Sequence, residues 1–184
     1  GAAVPTLRIT QAAGHDVVGP ETRDVVGNDL YFFSKGDLWR LPDQASSVSQ
    51  ITSSFESIDT IVSTSGAQRH IAIDRVNGFI YWAVSGSSNA IHKAALDGSS
   101  HDSTFITGLN DPQGIALDVA GGRVYWAEGA GQVVKSALLD GTGVITLYDS
   151  SDGLAGPQDI ALDLDDAQNK MVYIVDSGGA NVIR

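Results

Sequence analysis

The sequence predicts an all-β fold: a β-propeller built of four-stranded antiparallel blades, with about four blades in this chain and a partial or open ring. Three observations predict it. An apolar segment recurs at a fixed spacing, an aromatic strand follows each copy, and turn residues divide each period into four short β-rich segments. Helical spacing is absent from the repeated region, so strands are the regular elements to expect.

The first element of the repeat is a short apolar segment that ends in aspartate. His70–Asp74 is echoed by Gly114–Asp118 and by Asp159–Asp163. The final aspartates of successive copies are 44 and then 45 positions apart. A nearly unbroken apolar segment is typical of a strand buried on both faces. A period of this length is the size of one propeller blade.

Three further segments complete each period. The second is aromatic, the third alternates and ends in Leu-Asp-Gly, and the fourth is a short outer strand. The aromatic copies are Phe79–Trp82, Val124–Trp126 and Met171–Ile174, and the outer copies are Ser103–Ile106 and Val144–Leu147. Asn77-Gly78, Asp97-Gly98 and Gly121-Gly122 are typical of the tight turns between antiparallel strands.

A degenerate copy precedes the clear repeats. Asp29–Phe33 matches the aromatic strand, Asp37–Leu41 the third strand, and Val48–Thr52 is a candidate outer strand. The Ser/Thr-rich segment 53–68 fits no repeat position, and we expect a long connection there with one strand at Thr60–Val62.

We therefore expect one domain made of five parts. These are an N-terminal segment 1–24 with a candidate closing strand at Leu7–Thr10, a degenerate blade 25–68, two blades at 69–110 and 111–156, and an incomplete blade 157–184. An unclosed ring exposes apolar faces and strand edges. Three completions stay open: the chain is a piece of a longer propeller, a neighbouring chain completes the ring, or four blades close on themselves.

The ordered elements resemble the YWTD repeat of the low-density lipoprotein receptor class B family. The motifs that carry the resemblance are Pro112–Asp118, Val124–Glu128 and Ala137–Thr142. It is strong over residues 69–184 and faint over residues 25–52. The tetrapeptides read Tyr81–Val84, Tyr125–Glu128 and Tyr173–Asp176, and only the last keeps the aspartate. The resemblance implies six blades in a complete ring and a protein-binding role.

The resemblance also implies structural roles for the repeated residues. Asp74, Asp118 and Asp163 would tie neighbouring blades together through hydrogen bonds. The aromatic residues would pack between blades, where such side chains bury large areas; they are Tyr81, Trp82, Tyr125, Trp126 and Tyr173.

One end of the predicted propeller is the candidate ligand face. In a four-stranded meander, the loop between strands 2 and 3 lies on the same face as the connection from strand 4 to the next blade, and the resemblance makes this face the ligand platform. The candidate residues are Asn110, Asp111, Gln113, Glu128, Gln158 and Asp176. Three of the six are acidic, so we expect an acidic face suited to basic peptide side chains or amines; ordinary solvated loops are the alternative.

Composition excludes several kinds of site. The net charge of −11 disfavours nucleic acid and anionic membranes, and the lack of cysteine excludes disulfides and thiolate zinc sites. No apolar run is long enough to span a membrane. We expect no cofactor. Asp163–Asp166 resembles the start of a calcium-binding loop, but Ala167 and Gln168 stand where an EF-hand loop has a ligand and a glycine, so an acidic turn is favoured.

The predicted function is that of a non-enzymatic, extracellular or cell-surface protein-interaction module. Its partner would be another protein or copies of itself, with further blades in a longer parent chain. A structural subunit of a filament or cell-surface assembly is the alternative. A lactonase-like propeller hydrolase is a second alternative, which needs carboxylate and Asn ligands at the starts of the first strands; only Asp159 stands there, beside His70 and Gly114.

Overall fold

The computed structural model describes residues 30–34, 37–41, 56–57, 66–86, 88–165 and 170–178. These ranges contain thirteen strands and a short 3-10 helix, Ser150–Asp152. The strands are β1 Leu30–Ser34, β2 Asp37–Leu41, β3 Glu56–Ser57, β4 Gly66–Asp74, β5 Phe79–Gly86, β6 Ala90–Ala95, β7 His101–Ile106, β8 Pro112–Asp118, β9 Arg123–Glu128, β10 Val133–Leu138, β11 Ile145–Tyr148, β12 Pro157–Asp163 and β13 Met171–Asp176. No helix within the described ranges is long and apolar enough to cross a membrane.

The strands form four antiparallel sheets in which neighbours along the chain are also neighbours in the sheet. Sheet 1 holds β1–β3, sheet 2 holds β4–β7, sheet 3 holds β8–β11 and sheet 4 holds β12–β13. The predicted all-β architecture with four-stranded antiparallel sheets is confirmed. Over the part of the chain that the structure describes, the sheets form an open arrangement and not a closed ring.

Burial within sheet 3 falls from its first strand to its last. In sheet 3, β8 is buried at every position except Leu117, whereas β11 is exposed at every position except Leu147. This gradient is expected when the first strands face one another at the centre and the last strands lie at the rim. The continuous apolar segments of the sequence are therefore those that need cover on both faces.

The turn between β4 and β5 shows how the repeat sequence fixes the hairpin. The Asp74 carboxylate at the end of β4 accepts hydrogen bonds from the backbone N–H and the side-chain amide of Asn77, at 2.9 and 2.7 Å. Gly78 follows with a φ of +77°, a left-handed conformation that glycine adopts without steric cost. The Asp-x-x-Asn-Gly sequence thus stops one strand and reverses the chain.

Each of the three first strands in sheets 2 to 4 has an irregular register at a similar position. The shifts fall between Gln68 and Ile71 in β4, between Pro112 and Ile115 in β8, and between Pro157 and Asp159 in β12. A bulge bends its strand and redirects the side chains beside it. The bends therefore change the direction of the side chains at the start of each repeated apolar segment.

The buried hydrophobic residues of the described ranges form three clusters, and each is shared by two consecutive sheets. Tyr31 of sheet 1 packs in a cluster with Trp82 of sheet 2. Tyr81 of sheet 2 packs in another with Trp126 of sheet 3. The third joins buried residues of sheets 3 and 4, among them Ala116, Ala127, Val134, Ile160 and Ile174. Alternate residues along a strand point to opposite faces, so each central strand serves two interfaces.

Sheet 1 departs from the expected pattern. Its third strand is Glu56–Ser57, which pairs with Arg40 and Trp39 of β2 and lies in the segment expected to be a connection. A two-residue strand held by backbone pairing has no hydrophobic alternation to signal it. The candidate strands Leu7–Thr10, Val48–Thr52 and Thr60–Val62 lie outside the described residues.

Candidate interaction face

Three strained residues lie at the end of the sheets that carries the strand 2–3 loops and the strand 4–1 connections. Asn89, Asp111 and Gln132 have φ values of +40°, +59° and +54°, and within the described ranges these are the residues other than glycine with positive φ. Left-handed backbone is disfavoured for residues with a Cβ, and such strain clusters at functional sites. The strain supports the choice of this end as the functional face.

Asp111, Gln113 and Gln158 converge around Gly129. A Cβ built on Gly129 would lie 3.1 Å from Asp111 Oδ2, 3.3 Å from Gln158 Nε2 and 3.4 Å from Gln113 Cγ. The absence of a side chain at Gly129 therefore leaves a small space that these polar groups border. We call Asp111, Gln113, Gln158 and Gly129 the Gly129 site.

Two side chains of the Gly129 site have no hydrogen-bond or ion-pair partner within the described part of the chain. The Asp111 carboxylate is half-buried and accepts no bond there, although the Asp111 carbonyl accepts from Gly129 N–H at 2.9 Å. Gln113 is 7% exposed, and its amide is also without a partner there. The third polar group is engaged, because Gln158 Nε2 donates to the Gly156 carbonyl at 3.3 Å.

Glu128 has a structural role. It is 2% exposed, and its carboxylate accepts hydrogen bonds from Asn110 N–H at 2.7 Å and from Trp126 Nε1 at 3.0 Å. Lys135 Nζ forms an ion pair with it at 2.8 Å. Glu128 thus ties the end of β9 to the connection that precedes β8 and to β10.

Asp176 has the same role in sheet 4. It is 3% exposed and accepts hydrogen bonds from the backbone N–H groups of Ala155, Gly156 and Gly178, at 2.8, 2.8 and 3.0 Å. The acidic surface predicted for this face therefore has to be corrected, because Glu128 and Asp176 are buried acceptors of structural hydrogen bonds. Asp111 is the predicted acid of this face that is partly accessible.

The rest of the face is held by backbone contacts between its loops. Asn110 is exposed, and its carbonyl accepts from Gly131 N–H at 3.2 Å. Gln132 Nε2 donates to the Ala155 carbonyl at 3.0 Å and so links the loops of sheets 3 and 4. Gln132 is not among the residues predicted for this face, because neither its positive φ nor its reach to the next sheet leaves a motif in the sequence.

The three repeated aspartates differ in their surroundings. Asp74 is fully buried over its own turn, and Asp118, also buried, accepts from Gly121 N–H at 2.7 Å and pairs with Lys170 Nζ of sheet 4. Burial opposes ionisation of Asp118, but the bonds from Lys170 and Gly121 outweigh it and lower its pKa. Asp163 is exposed and accepts from Asp165 N–H. Asp118 is thus the member with a described contact to the next sheet.

The repeated aromatic residues follow a similar gradient. Tyr81, Trp82 and Trp126 are almost completely buried in the clusters between sheets. Burial, together with the nearby Asp74 charge, raises the pKa of Tyr81 to about 12. Tyr125 packs at the margin of the cluster shared by sheets 3 and 4, and Tyr173 is 37% exposed.

The starts of the first strands meet at the centre. His70 Nδ1 of β4 lies 2.8 Å from Asp159 Oδ1 of β12, and Gly114 of β8 stands at the equivalent repeat position. A Cβ on Gly114 would come within 2.6 Å of the Asp159 Cα. Within the described ranges no group of three or more His, Cys, Asp or Glu side chains is arranged to hold a metal ion.

Lys93 links sheets 2 and 3 at the rim. Its Nζ donates to the Leu139 carbonyl at 3.1 Å and lies 4.1 Å from the centre of the Phe79 ring. The rings of Tyr81 and Phe105 are each 5.2 Å away. Burial lowers the pKa of Lys93 against the opposing effect of nearby aspartates. Nothing in the sequence motif indicated this cation–π contact.

Comparisons with known proteins agree with the repeat analysis. The model of the family described as low-density lipoprotein receptor repeat class B matches residues 78–119. "Low-density lipoprotein receptor-related protein 1" of Pyricularia oryzae is 30% identical over 116 residues, which make up 59% of this chain and 35% of that protein. "Nidogen" of Drosophila melanogaster is 36% identical over 76 residues, 40% of this chain and 6% of that protein. The chain thus spans about a third or less of these relatives.

A solved structure supports the fold. A chain in the structure titled "Crystal structure of Nidogen/Laminin Complex" matches with a TM-score of 0.65 and 24% identity, over 82% of this chain and 52% of that chain. The β-propeller prediction is confirmed. Residues 78–119 match the low-density lipoprotein receptor class B (YWTD) repeat, and the chain that carries them has the β-propeller fold.

Proposed function

We propose that this chain is a non-enzymatic protein-interaction module that binds its partner through the face containing the Gly129 site. The observation that carries the proposal is the pair of polar side chains bordering Gly129, Asp111 and Gln113, which have no partner within the described residues. The polar atoms of both side chains are not among the buried, unpaired atoms of the described residues, so a ligand can reach them. A ligand that forms hydrogen bonds with both side chains would explain why they have no partner within the described residues.

The chemistry of the site favours a cationic side chain. The Asp111 carboxylate is an acceptor, and the Gln113 amide offers both an acceptor oxygen and two donor hydrogens. A guanidinium has five donors in a planar fork and pairs well with a carboxylate. We therefore propose that an arginine or lysine of a protein partner binds beside Gly129, next to Asp111.

The proposed setting is extracellular or at the cell surface. Curated relatives carry the names of low-density lipoprotein receptor-related proteins, a vitellogenin receptor and nidogen. The structural neighbour belongs to a complex of nidogen with laminin. These names support a binding module that acts between proteins, with partners of its own.

The experiment is an NMR titration of ¹⁵N-labelled protein with a capped Gly-Arg-Gly peptide. We expect saturable shift changes at residues 110, 111, 113 and 128–132, because these backbone amides surround the Gly129 site. A capped Gly-Gln-Gly peptide is the matched probe without charge. Asp111→Asn should weaken binding of the arginine peptide by at least tenfold, the loss expected when one charge-assisted hydrogen bond of about 1.5 kcal/mol disappears.

Asp140→Asn is the matched control. Asp140 is exposed and lies in the strand 3–4 turn, at the opposite end of the sheet, where it accepts bonds from Thr142. This variant should bind the arginine peptide as the unaltered chain does. Equal binding of the two peptides, or equal loss in both variants, would rule out a specific site at Asp111.

A second candidate function is assembly through the open side of sheet 4. Met171, Tyr173 and Val175 alternate along β13 and are 47%, 37% and 52% exposed. Tyr81, which occupies the repeat position of Tyr173, is covered by the following sheet. We propose that copies of the chain cover this side in an assembly. Light scattering of the purified chain tests it: Tyr173→Lys should convert a dimer or larger species to monomer, and a monomer before substitution refutes it.

A further inference from the structure

Two histidines form a pair in the outer half of sheet 2. His92 of β6 is 2% exposed, and its Nδ1 lies 3.2 Å from Nε2 of His101 in β7. One of the two nitrogens must carry the shared proton, so the contact as it stands requires at least one neutral imidazole. If both rings were protonated, two N–H groups and two positive charges would face each other at this distance.

The pair is enclosed by aromatic rings. Trp82 is the cross-strand partner of His92, with ring centroids 5.3 Å apart. The His101 ring stacks on Trp82 at 5.3 Å with an interplanar angle of 14°. Trp82 in turn packs in the cluster that includes Tyr31 of sheet 1. The histidine pair is therefore in direct contact with the residue that joins sheets 1 and 2.

The second nitrogen of His92 has no compensation for a positive charge. His92 Nε2 is buried and makes no hydrogen bond within the described residues. In the described part of the chain, the charged groups that act on His92 are His101 and Asp102, and both belong to β7. From β5, His92 faces the uncharged Trp82 ring, which lies in one cluster with Tyr31 of sheet 1. Asp102 is exposed and engaged by Thr104.

We propose that the His92–His101 pair is an acid-sensitive latch. At neutral pH it holds β7 on β6 and keeps Trp82 packed against sheet 1; in mild acid, protonation of the pair releases β7 and loosens that contact. The physical basis is that the two imidazoles are adjacent and His92 is buried. The pair can share one proton between its rings, but burial and charge repulsion disfavour the binding of a second.

The direction of the pH effect follows from His92. Burial, and then the neighbouring His101, lower its pKa from 6.5 to about 4, against a smaller opposing effect of Asp102. In the open state His92 regains its ordinary pKa and takes up a proton that the closed state refuses. Closure is therefore fully stable above about pH 6.5 and weakens as the pH falls from there toward 4. Between pH 7 and pH 5 the opening equilibrium should rise about 20-fold.

Hydrogen exchange of the full chain, followed by mass spectrometry, tests the proposal. Exchange is measured at pH 7 and pH 5 and corrected for the intrinsic pH dependence of the chemistry. We expect peptides covering β6 and β7 to lose about 20-fold in protection at pH 5, while peptides of sheet 3 keep theirs. His92→Phe with His101→Phe keeps the aromatic packing on Trp82, removes both titrating groups and should abolish the loss.

The control is His70→Gln, which removes a histidine from the centre of the molecule and should leave the acid response of β6 and β7 intact. His101→Gln, which keeps a polar partner for His92, decides the question if the double variant fails to fold: it should reduce the acid-induced loss severalfold. Unchanged protection of β7 at pH 5 in the unaltered chain, or a full loss retained without the histidines, would overturn the proposal.

Discussion

Replacement of Glu128 is expected to destabilise the protein more than its position at the end of a strand, where a loop begins, would suggest. The Glu128→Ala change leaves three groups without their acceptor: Asn110 N–H, Trp126 Nε1–H and the Lys135 ammonium. Trp126 is completely buried, so water cannot replace the acceptor that its Nε1–H loses. The cost should appear in the free energy of unfolding, because the unfolded chain solvates all three groups.

The magnitude follows from the bonds that are lost. A hydrogen bond to a charged group contributes about 1.5–3 kcal/mol, and removing one partner from a buried ion pair costs about 3–5 kcal/mol. The contributions overlap, so we expect about 4 kcal/mol for Glu128→Ala. Glu128→Gln retains one acceptor oxygen and loses the charge that faces Lys135, and we expect about 2 kcal/mol.

The assay is urea unfolding at pH 7 followed by tryptophan fluorescence, to which Trp126 contributes together with Trp39 and Trp82. Lys135→Met completes a double-mutant cycle with Glu128→Gln, and a coupling of about 1 kcal/mol is expected because Lys135 is 24% exposed and partly screened. An ordinary surface substitution changes the free energy of unfolding by about 0.5 kcal/mol or less. If both Glu128 variants stay within that range of the unaltered chain, the structural role assigned to this carboxylate is wrong.

Three further substitutions test the contacts between sheets, each by urea unfolding or thermal melting. Gly114→Ala forces a methyl group against the backbone of the neighbouring first strand and should cost about 3 kcal/mol or prevent folding; a neutral effect would contradict the close approach at the centre. Lys93→Met removes the bond to the Leu139 carbonyl and the cation–π contact, and should cost about 1–2 kcal/mol, whereas Lys93→Arg should cost less. Asp118→Asn loses the charge facing Lys170 and should cost about 1 kcal/mol at pH 7. Because the pKa of Asp118 is lowered in the folded chain, its charge stabilises above about pH 4, and the difference between Asp118→Asn and the unaltered chain should shrink as the pH falls below that value; a constant difference would refute the ion pair.

The fold could be predicted from the sequence because the information is repeated. Three copies of an apolar segment ending in aspartate, each followed by an aromatic strand, indicate the same unit independently of one another. The clusters between sheets explain why these residues recur, since positions such as Tyr81 and Trp126 pack against adjoining units. The residues that recur in the sequence are the same residues that pack between sheets, so the repeat predicts the packing.

The candidate site was harder to predict because loop position does not determine exposure. Glu128 and Asp176 stand at the ends of second strands, where a charge normally points to solvent. Glu128 instead accepts from Asn110 N–H and the Trp126 indole, and Asp176 accepts from backbone N–H groups of the adjoining connection. Asp111 and Gln113 are the converse case, because their lack of partners follows from the packing of three chain segments around Gly129. The strand Glu56–Ser57 was missed since backbone pairing alone defines it.

Because each apolar cluster belongs to two consecutive sheets, the molecule resembles a row of coupled units in which cooperativity extends from neighbour to neighbour. A lesion inside sheet 3 weakens two junctions at once, whereas one in sheet 4 weakens the single junction described for it. Among the described sheets, fraying should therefore start at those with one described junction, sheets 1 and 4, and spread by whole sheets. A partner that clamps the outermost unit would stabilise distant units that it never touches, so binding at one end could be detected as slower exchange at the other.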